Sequence, residues 1–280
     1  MDEPKYDEIG YWSEIKLEIV RKYAQAYSTI LSRQPYIRKY IYIDAFAGAG
    51  EHISKRTHDF VPGSPLNALN VQPPFSEYHL IDLNPDKVNN LRQLTADSPN
   101  IFVYNEDCNS VLPAKVFTRA RRDDYHRALC LLDPYALNLD WEVIQTAGLM
   151  KSIEIFMNFM VMDVNMNVLW NDPGRVQPAQ AVRMDRFWGD RSWRNRLYRK
   201  PEGLLPGFDD IEEKVSNEAV AKAYQERLQR IAGFAYVPDP MPMRNSRGAI
   251  VYYLFFASPN KTGAKIVSEI FDKYRDRGAI

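Results

Sequence analysis

The sequence has two cysteines in 280 residues, Cys108 and Cys130, and neither belongs to a CxxC pair or a Cys/His cluster. A disulfide framework needs more of them, and a structural zinc site needs closer ligand spacing, so no metal is expected. The chain also lacks net charge, with 36 Lys+Arg against 36 Asp+Glu. It therefore has no global field to steer a polyanion, and any basic surface has to be local. No run approaches the roughly 18 apolar residues of a membrane span. The N-terminal MDEPKYDEIG is acidic and has no apolar signal core, so a cytoplasmic location and no membrane partner are expected. Internal repeats and low-complexity tracts are missing too.

What is present is ordinary globular composition, 45% hydrophobic and 26% charged. The length suits one large α/β domain spanning 1–280. Trp12, Ile15, Ile19, Tyr23, Tyr27, Ile30 and Leu31 recur at helical spacing and predict a long amphipathic helix ending before Pro35. Short apolar runs follow at Tyr40–Ile43, 77–84, 101–109, 126–137 and 153–160, each reading as a strand. Helical stretches separate them, which implies parallel pairing with right-handed crossovers. Ser64 and Pro65 suit the cap and first turn of one such helix. Two more strands, GFAYVPDPMPMRN and AIVYYLFFAS, are joined by a turn at Asn245–Gly248 and should be antiparallel. The count is seven strands. Between the fifth and sixth lies an insert, 166–232, whose residues 166–210 carry no strand and whose later part, Ile211–Ile231, is helical.

The first strand stops at Asp44 and runs into Gly48-Ala49-Gly50. A glycine turn after a first parallel strand is where nucleotide-like ligands meet backbone. The dinucleotide pattern requires a third glycine three residues after the second, and Ile53 stands there instead. A cationic ligand fits better. S-adenosylmethionine (SAM) carries a sulfonium and an ammonium, so it calls for an acid at the strand end. Asp44 can accept from the ammonium directly or through water, and Gly48 and Gly50 remove Cβ atoms that would meet the ligand. Asp82, ending strand two, can accept both ribose hydroxyls. Asp107, ending strand three, can accept from the adenine amine. Phe46, Ala47, Ser64, Leu83 and Cys108 flank these positions and are expected beside the cofactor. The plainer reading of any one acid is a strand-end carboxylate capping the next helix.

Strand four ends at Asp133-Pro134-Tyr135. Asp133 and the Pro134 carbonyl can localise the lone pair of a planar exocyclic amine while Tyr135 stacks on its ring. These three are the expected catalytic residues, Asp133 also lying at the cofactor. Transfer from a sulfonium is an in-line displacement that needs positioning and exclusion of water more than a strong base. His52 and His126 read as loop or strand-start residues. The plainer reading of DPY is a strand-to-loop turn.

Residues 175–200 hold eight basic residues against Asp185 and Asp190, a local net of +6. Phe187, Trp188, Trp193 and Tyr198 interleave with them. Cations for phosphates plus rings for stacking are what flipped or single-stranded nucleic acid needs. Arg186, Trp188, Trp193, Arg194 and Arg196, with Tyr135 and Asn158, are the expected substrate contacts. The competing reading is a lid whose aromatics pack inward while its arginines pair with acids.

YIDAFAGAG, PGSPLNAL, YHLIDLN, LLDPYALNLDW, IEIFMNFMVMD and MPMRNSRGAIVYYLFFAS together resemble the three-Cys-motif partner proteins (TcmP), over nearly the whole chain. The resemblance implies a Rossmann-like α/β class I methyltransferase sheet of seven strands with the last antiparallel. It implies SAM at Asp44, Gly48, Gly50, Asp82 and Asp107. It also implies a radical-SAM-type three-Cys-motif protein as partner. One departure is the single proline between Asp133 and Tyr135, where amino-methylating enzymes on nucleic acids usually carry two. Two function classes follow. One is a SAM-dependent methyltransferase acting on an exocyclic amine or ring nitrogen of nucleic acid, or on a small heteroaromatic. The other is a SAM-binding partner protein with little transferase activity.

Overall fold

The apolar run after Arg38 forms β1 (Lys39–Asp44), buried from Ile41 onward. The computed structural model describes residues 6–96, 98–200 and 212–275. Six further strands join β1: β2 (Glu77–Ile81), β3 (Ile101–Tyr104), β4 (His126–Leu132), β5 (Ile153–Phe159), β6 (Met241–Arg244) and β7 (Ile250–Ala257). They lie in the order β3-β2-β1-β4-β5-β7-β6. β1 to β5 run parallel, and β7 is inserted antiparallel between β5 and β6. This is the expected class I methyltransferase-like sheet. β1 extends one residue beyond each end of the predicted Tyr40–Ile43, whereas the other strands are shorter than their predicted runs.

Apolar side chains cover both faces. One face carries α1 (Tyr11–Leu31) with Tyr23 and Tyr27 against Phe156, Phe256 and Phe75. α2 (Ser64–Leu69), α3 (Pro85–Leu94) and a four-residue α4 (Cys108–Val111) follow β1, β2 and β3. Ser64 is the first residue of α2 and not its cap; Gly63 holds the cap position without a side-chain bond. On the other face, α5 (Trp141–Met150) lies between β4 and β5 in sequence.

The insert begins with α6 (Val161–Asn167), α7 (Pro178–Trp188) and α8 (Trp193–Leu197). Contrary to expectation it does contain a strand: Tyr198–Arg199 pairs antiparallel with Glu213–Lys214. Residues 201–211, including the predicted start of the next helix at Ile211, lie outside the described residues. α9 (Asn217–Arg230) starts after Ser216, whose side chain caps it, and α10 (Lys261–Arg275) closes the described chain. A second departure lies after the glycine turn. Asp7–Ile9, Glu51–Ser54 and Phe60–Pro62 form a three-stranded sheet that the sequence did not predict. Among the described residues no helix is long and apolar enough to cross a membrane.

Candidate active site

The carboxyl ends of β1 to β4 converge on two adjoining cavities, as parallel α/β sheets favour. One, of about 440 Å³, is lined by Asp82, Leu83, Asp107, Cys108, Asp140 and Arg186, among others. The second, of about 390 Å³, is lined by Lys16, Gly48, His52, Ser64, Asp133 and Asn158, among others. Phe46 and Tyr135 belong to both walls, so the cavities meet there.

Three strand-end acids take different posts. The Asp82 carboxylate accepts from the Gly48 N–H at 2.9 Å and from the Asn84 N–H at 2.8 Å, tying the glycine turn to β2. Asp107 accepts from the Asn109 N–H at 2.9 Å, so it caps α4 while facing the first cavity. Asp44 is fully buried and lies on neither wall. It accepts from the Phe46 N–H at 3.3 Å and the Tyr42 hydroxyl at 3.4 Å. Burial pushes its pKa up to about 7, against the hydrogen bond from Ser64. Expected to accept from the ammonium directly or through water, Asp44 sits beneath Ser64, which does line the second cavity, so direct contact is not what the cavity walls offer.

The two glycines divide their work. Gly48 has φ +66, and a Cβ there would meet only His52 Cε1 at 3.9 Å, so its missing side chain leaves cavity space. Gly50 has φ +94, and its Cβ would press on Leu94 and Leu91 at 3.1 and 3.3 Å. That corrects the expectation that both glycines face ligand: Gly50 lets the turn pack on α3. Ala47 is likewise buried, its N–H bonded to Ile81 O, and it lines neither cavity. Leu83 is 67% exposed within the first cavity wall, an apolar surface offered to a ligand. Cys108 lies there too, but burial pushes its thiol up to about 12 and leaves it unreactive.

At the end of β4 the Asp133 carboxylate is ion-paired with Lys16 of α1 and accepts from the Asn158 amide of β5. A carboxylate only accepts, so the amide nitrogen must face Asp133 and the amide oxygen must face away. That oxygen, Asn158 Oδ1, is buried without a hydrogen-bond partner, and Asn158 is only 1% exposed. Burial works most strongly against the Lys16 ammonium, but the Asp133 charge and hydrogen bond together with Tyr252 and Asp44 raise its pKa on balance. His52 Nδ1 is a second buried atom without a partner, and burial lowers the His52 pKa, favouring the neutral ring. Tyr135 is 65% exposed, with its hydroxyl 3.3 Å from Asp7 Oδ2, and Pro134 lines the second cavity.

Lys16 and His52 escaped the sequence reading. A signal for Lys16 existed: it stands four residues after Trp12 and three before Ile19, inside the apolar stripe of α1. His52 read only as a loop or strand-start residue, because one partner of its strand, Asp7–Ile9, is distant in sequence and is brought there by the fold.

The insert departs from the nucleic-acid expectation in its rings. Trp188 and Trp193 are 1% and 0% exposed, and Phe187 and Tyr198 are also buried. Their indole N–H groups go to Ser192 and Asp185, so neither ring is presented for stacking. Four arginines are paired: Arg183 with Asp163, Arg186 with Asp140, Arg191 with Asp185 and Arg199 with Glu213. Arg186 nevertheless reaches the first cavity wall. Arg194 and Arg196 stay on the surface, Arg194 over the Trp193 ring.

No protein-family model and no curated protein matches the chain. Among solved structures, protein LPL1258 from Legionella pneumophila is similar with a TM-score of 0.50 and 11% identity, over 92% of this chain and 90% of that one. The O-methyltransferase NcsB1 of neocarzinostatin biosynthesis, solved with S-adenosylmethionine, gives 0.36 and 10% over 87% and 56%. The DszA carbon methyltransferase gives 0.42 and 16% over 86% and 53%. At such identities the likeness concerns the fold.

Proposed function

We propose that this protein is a SAM-dependent methyltransferase whose acceptor is a planar amine or ring nitrogen of nucleic acid or of a nucleobase-like heteroaromatic. The observation that carries it is the pair of adjoining cavities at the strand ends, meeting at Phe46 and Tyr135. The first suits an adenosine: Asp82 and Asp107 offer carboxylate oxygens, and Leu83 offers an apolar face. The cavity space left by Gly48 and the Ser64 hydroxyl suit the amino-acid end. When bound, SAM supplies an electrophilic methyl group on sulfur.

The second cavity suits an N–H donor. Asn158 Oδ1 needs a donor, since an unpaired buried acceptor costs about 1–3 kcal/mol. An acceptor amine placed there donates one N–H to it, which holds the nitrogen lone pair toward the methyl group. Asp133, fixed by Lys16 and Asn158, orients the same nitrogen. Neutral His52 lies on the same cavity wall with Nδ1 unpartnered, which supports giving it the proton released from nitrogen. Tyr135 presents a ring face at the mouth. Exposed Arg194 and Arg196 favour a phosphate-bearing acceptor, though without the stacking rings first expected.

A second reading keeps the TcmP resemblance and a radical-SAM-type partner, with little transferase activity. In its favour, both Asp133 oxygens are already engaged by Lys16 and Asn158. The deciding experiment incubates the protein with methyl-labelled SAM and pooled tRNA, rRNA, DNA and cell extract. Label should enter one fraction, and Asp133→Asn should abolish it while SAM binding persists. SAM binding with no label in any fraction would favour the partner protein.

A further inference from the structure

Behind the sheet, at the amino ends of β4 and β5, lies a separate cavity of about 290 Å³. Its wall includes Tyr27, Arg122, Arg127, Lys151, Glu154 and Tyr236. Arg127 is the second residue of β4, whereas Asp133 follows its last. Six residues of strand at ~3.3 Å each put the cavity about 20 Å from the acceptor site.

Three of its polar groups, Arg122, Arg127 and Tyr27, are short of partners. Among the described residues neither Arg122 nor Arg127 forms an ion pair; Arg127 only donates to the His126 carbonyl, at 2.7 Å. The Tyr27 hydroxyl is buried with no hydrogen-bond partner. Its ring is held by stacking on Phe75, so the hydroxyl cannot swing to find one. Lys151, whose ammonium already donates to the Gly233 carbonyl, and Lys261 add two more cations to the wall. The one acid on that wall, Glu154, is buried and bound by the Tyr23 and Ser258 hydroxyls. Burial pushes its pKa up to about 7, which reduces its opposition to an anion. Tyr36 and Tyr236 expose ring surface at the same cavity.

We infer that this cavity is a second ligand site, distinct from the cofactor cleft, for a small phosphomonoester bearing a planar ring, of the nucleoside monophosphate class. Guanidinium groups free of carboxylates bind phosphate through paired N–H donors, and lysines add point charge. The Tyr27 hydroxyl supplies a further donor to a phosphate oxygen. Ring faces of Tyr36 and Tyr236 meet the base. The size fits such a ligand, near the lower end of small-molecule pockets at roughly 300 Å³.

The test is calorimetric titration of the full chain with adenosine monophosphate, and with inorganic phosphate and adenosine as separate arms. Saturable adenosine monophosphate binding is expected, unaffected by saturating SAM, weaker for phosphate and weakest for adenosine. Arg122→Ala, on the surface and safe for folding, should weaken it about tenfold, and Tyr27→Phe about fivefold, the loss of one hydrogen bond. Tyr27→Phe removes an unsatisfied buried hydroxyl, so its melting temperature should hold or rise, which separates lost binding from lost fold. No saturable binding at millimolar ligand overturns the inference. So does displacement by SAM, or an affinity that both variants leave unchanged. SAM affinity measured on the same proteins shows whether the cofactor reading stands independently.

Discussion

The ammonium of Lys16, on the first long helix, is ion-paired with the carboxylate of Asp133, 117 residues further along the chain. The Lys16 side chain is nearly buried and that of Asp133 is partly exposed to the cavity. The pair therefore fixes Asp133, the acid assigned to the acceptor site in the proposed function, in one orientation while leaving it an open edge. Lys16→Met should lower methyl transfer by about 100-fold through misplacement of the acid. It should cost about 1–3 kcal/mol of stability, since Asp133 keeps only Asn158 as partner. Turnover and thermal unfolding measured side by side check both; unchanged turnover would remove Lys16 from the site.

Asn158 Oδ1 is buried without a hydrogen-bond partner, and the proposed function assigns it to the substrate. Asn158→Asp would place two carboxylates together, whereas Asn158→Leu removes the acceptor with little change of size. The Leu variant should lose about 10- to 100-fold in kcat/KM with SAM affinity preserved. Equal loss of SAM binding would place Asn158 at the cofactor instead.

Asp44 and Glu154 are both buried, and burial raises each carboxyl to about 7. Both pKa values are raised above the unfolded range, so the stability they contribute is complete below about pH 4. It is lost as pH rises through about 7. Thermal unfolding should show falling stability between pH 5 and pH 8, and Asp44→Asn should flatten part of that slope. If SAM occupies the cleft as proposed, its positive charge above Ser64 favours the ionised form of Asp44 beneath it. Binding near pH 6.5 should therefore release protons, visible as a buffer-dependent heat that Asp44→Asn abolishes.

Gly48→Ala and Gly50→Ala should part company. Each forces a positive φ on an alanine, costing of order 1 kcal/mol. The new methyl at position 50 also pushes into Leu91 and Leu94, so stability falls further there. The methyl at position 48 enters the cavity, so SAM affinity falls while the fold holds. Equilibrium unfolding and SAM titration of both variants decide this.

Charge reversal at Arg194 and Arg196 should weaken RNA or DNA binding and flatten its dependence on salt, because both face solvent. Trp193→Ala should act differently, destabilising the fold by about 3–5 kcal/mol, because that ring is core. An unchanged salt slope in the arginine variant would leave the insert as a packed lid.

By itself the sequence determined the sheet. Apolar runs such as Tyr40–Ile43 stop at acids and asparagines, and those stops mark the carboxyl ends where the cavities lie. The missing third glycine and the acids Asp82 and Asp107 were legible for the same reason: backbone geometry and strand termination are local. Only the tertiary structure decided which side chains face the cavities. Asp44 lies beneath them, Gly50 turns toward α3, and the tryptophans of the insert turn inward although their spacing among arginines resembled a stacking surface. Lys16 with Asp133 and Tyr27 with Arg127 could not be read at all. Such pairs are brought together by packing between segments a hundred or more residues apart, and no local periodicity records which of many buried partners a side chain will meet.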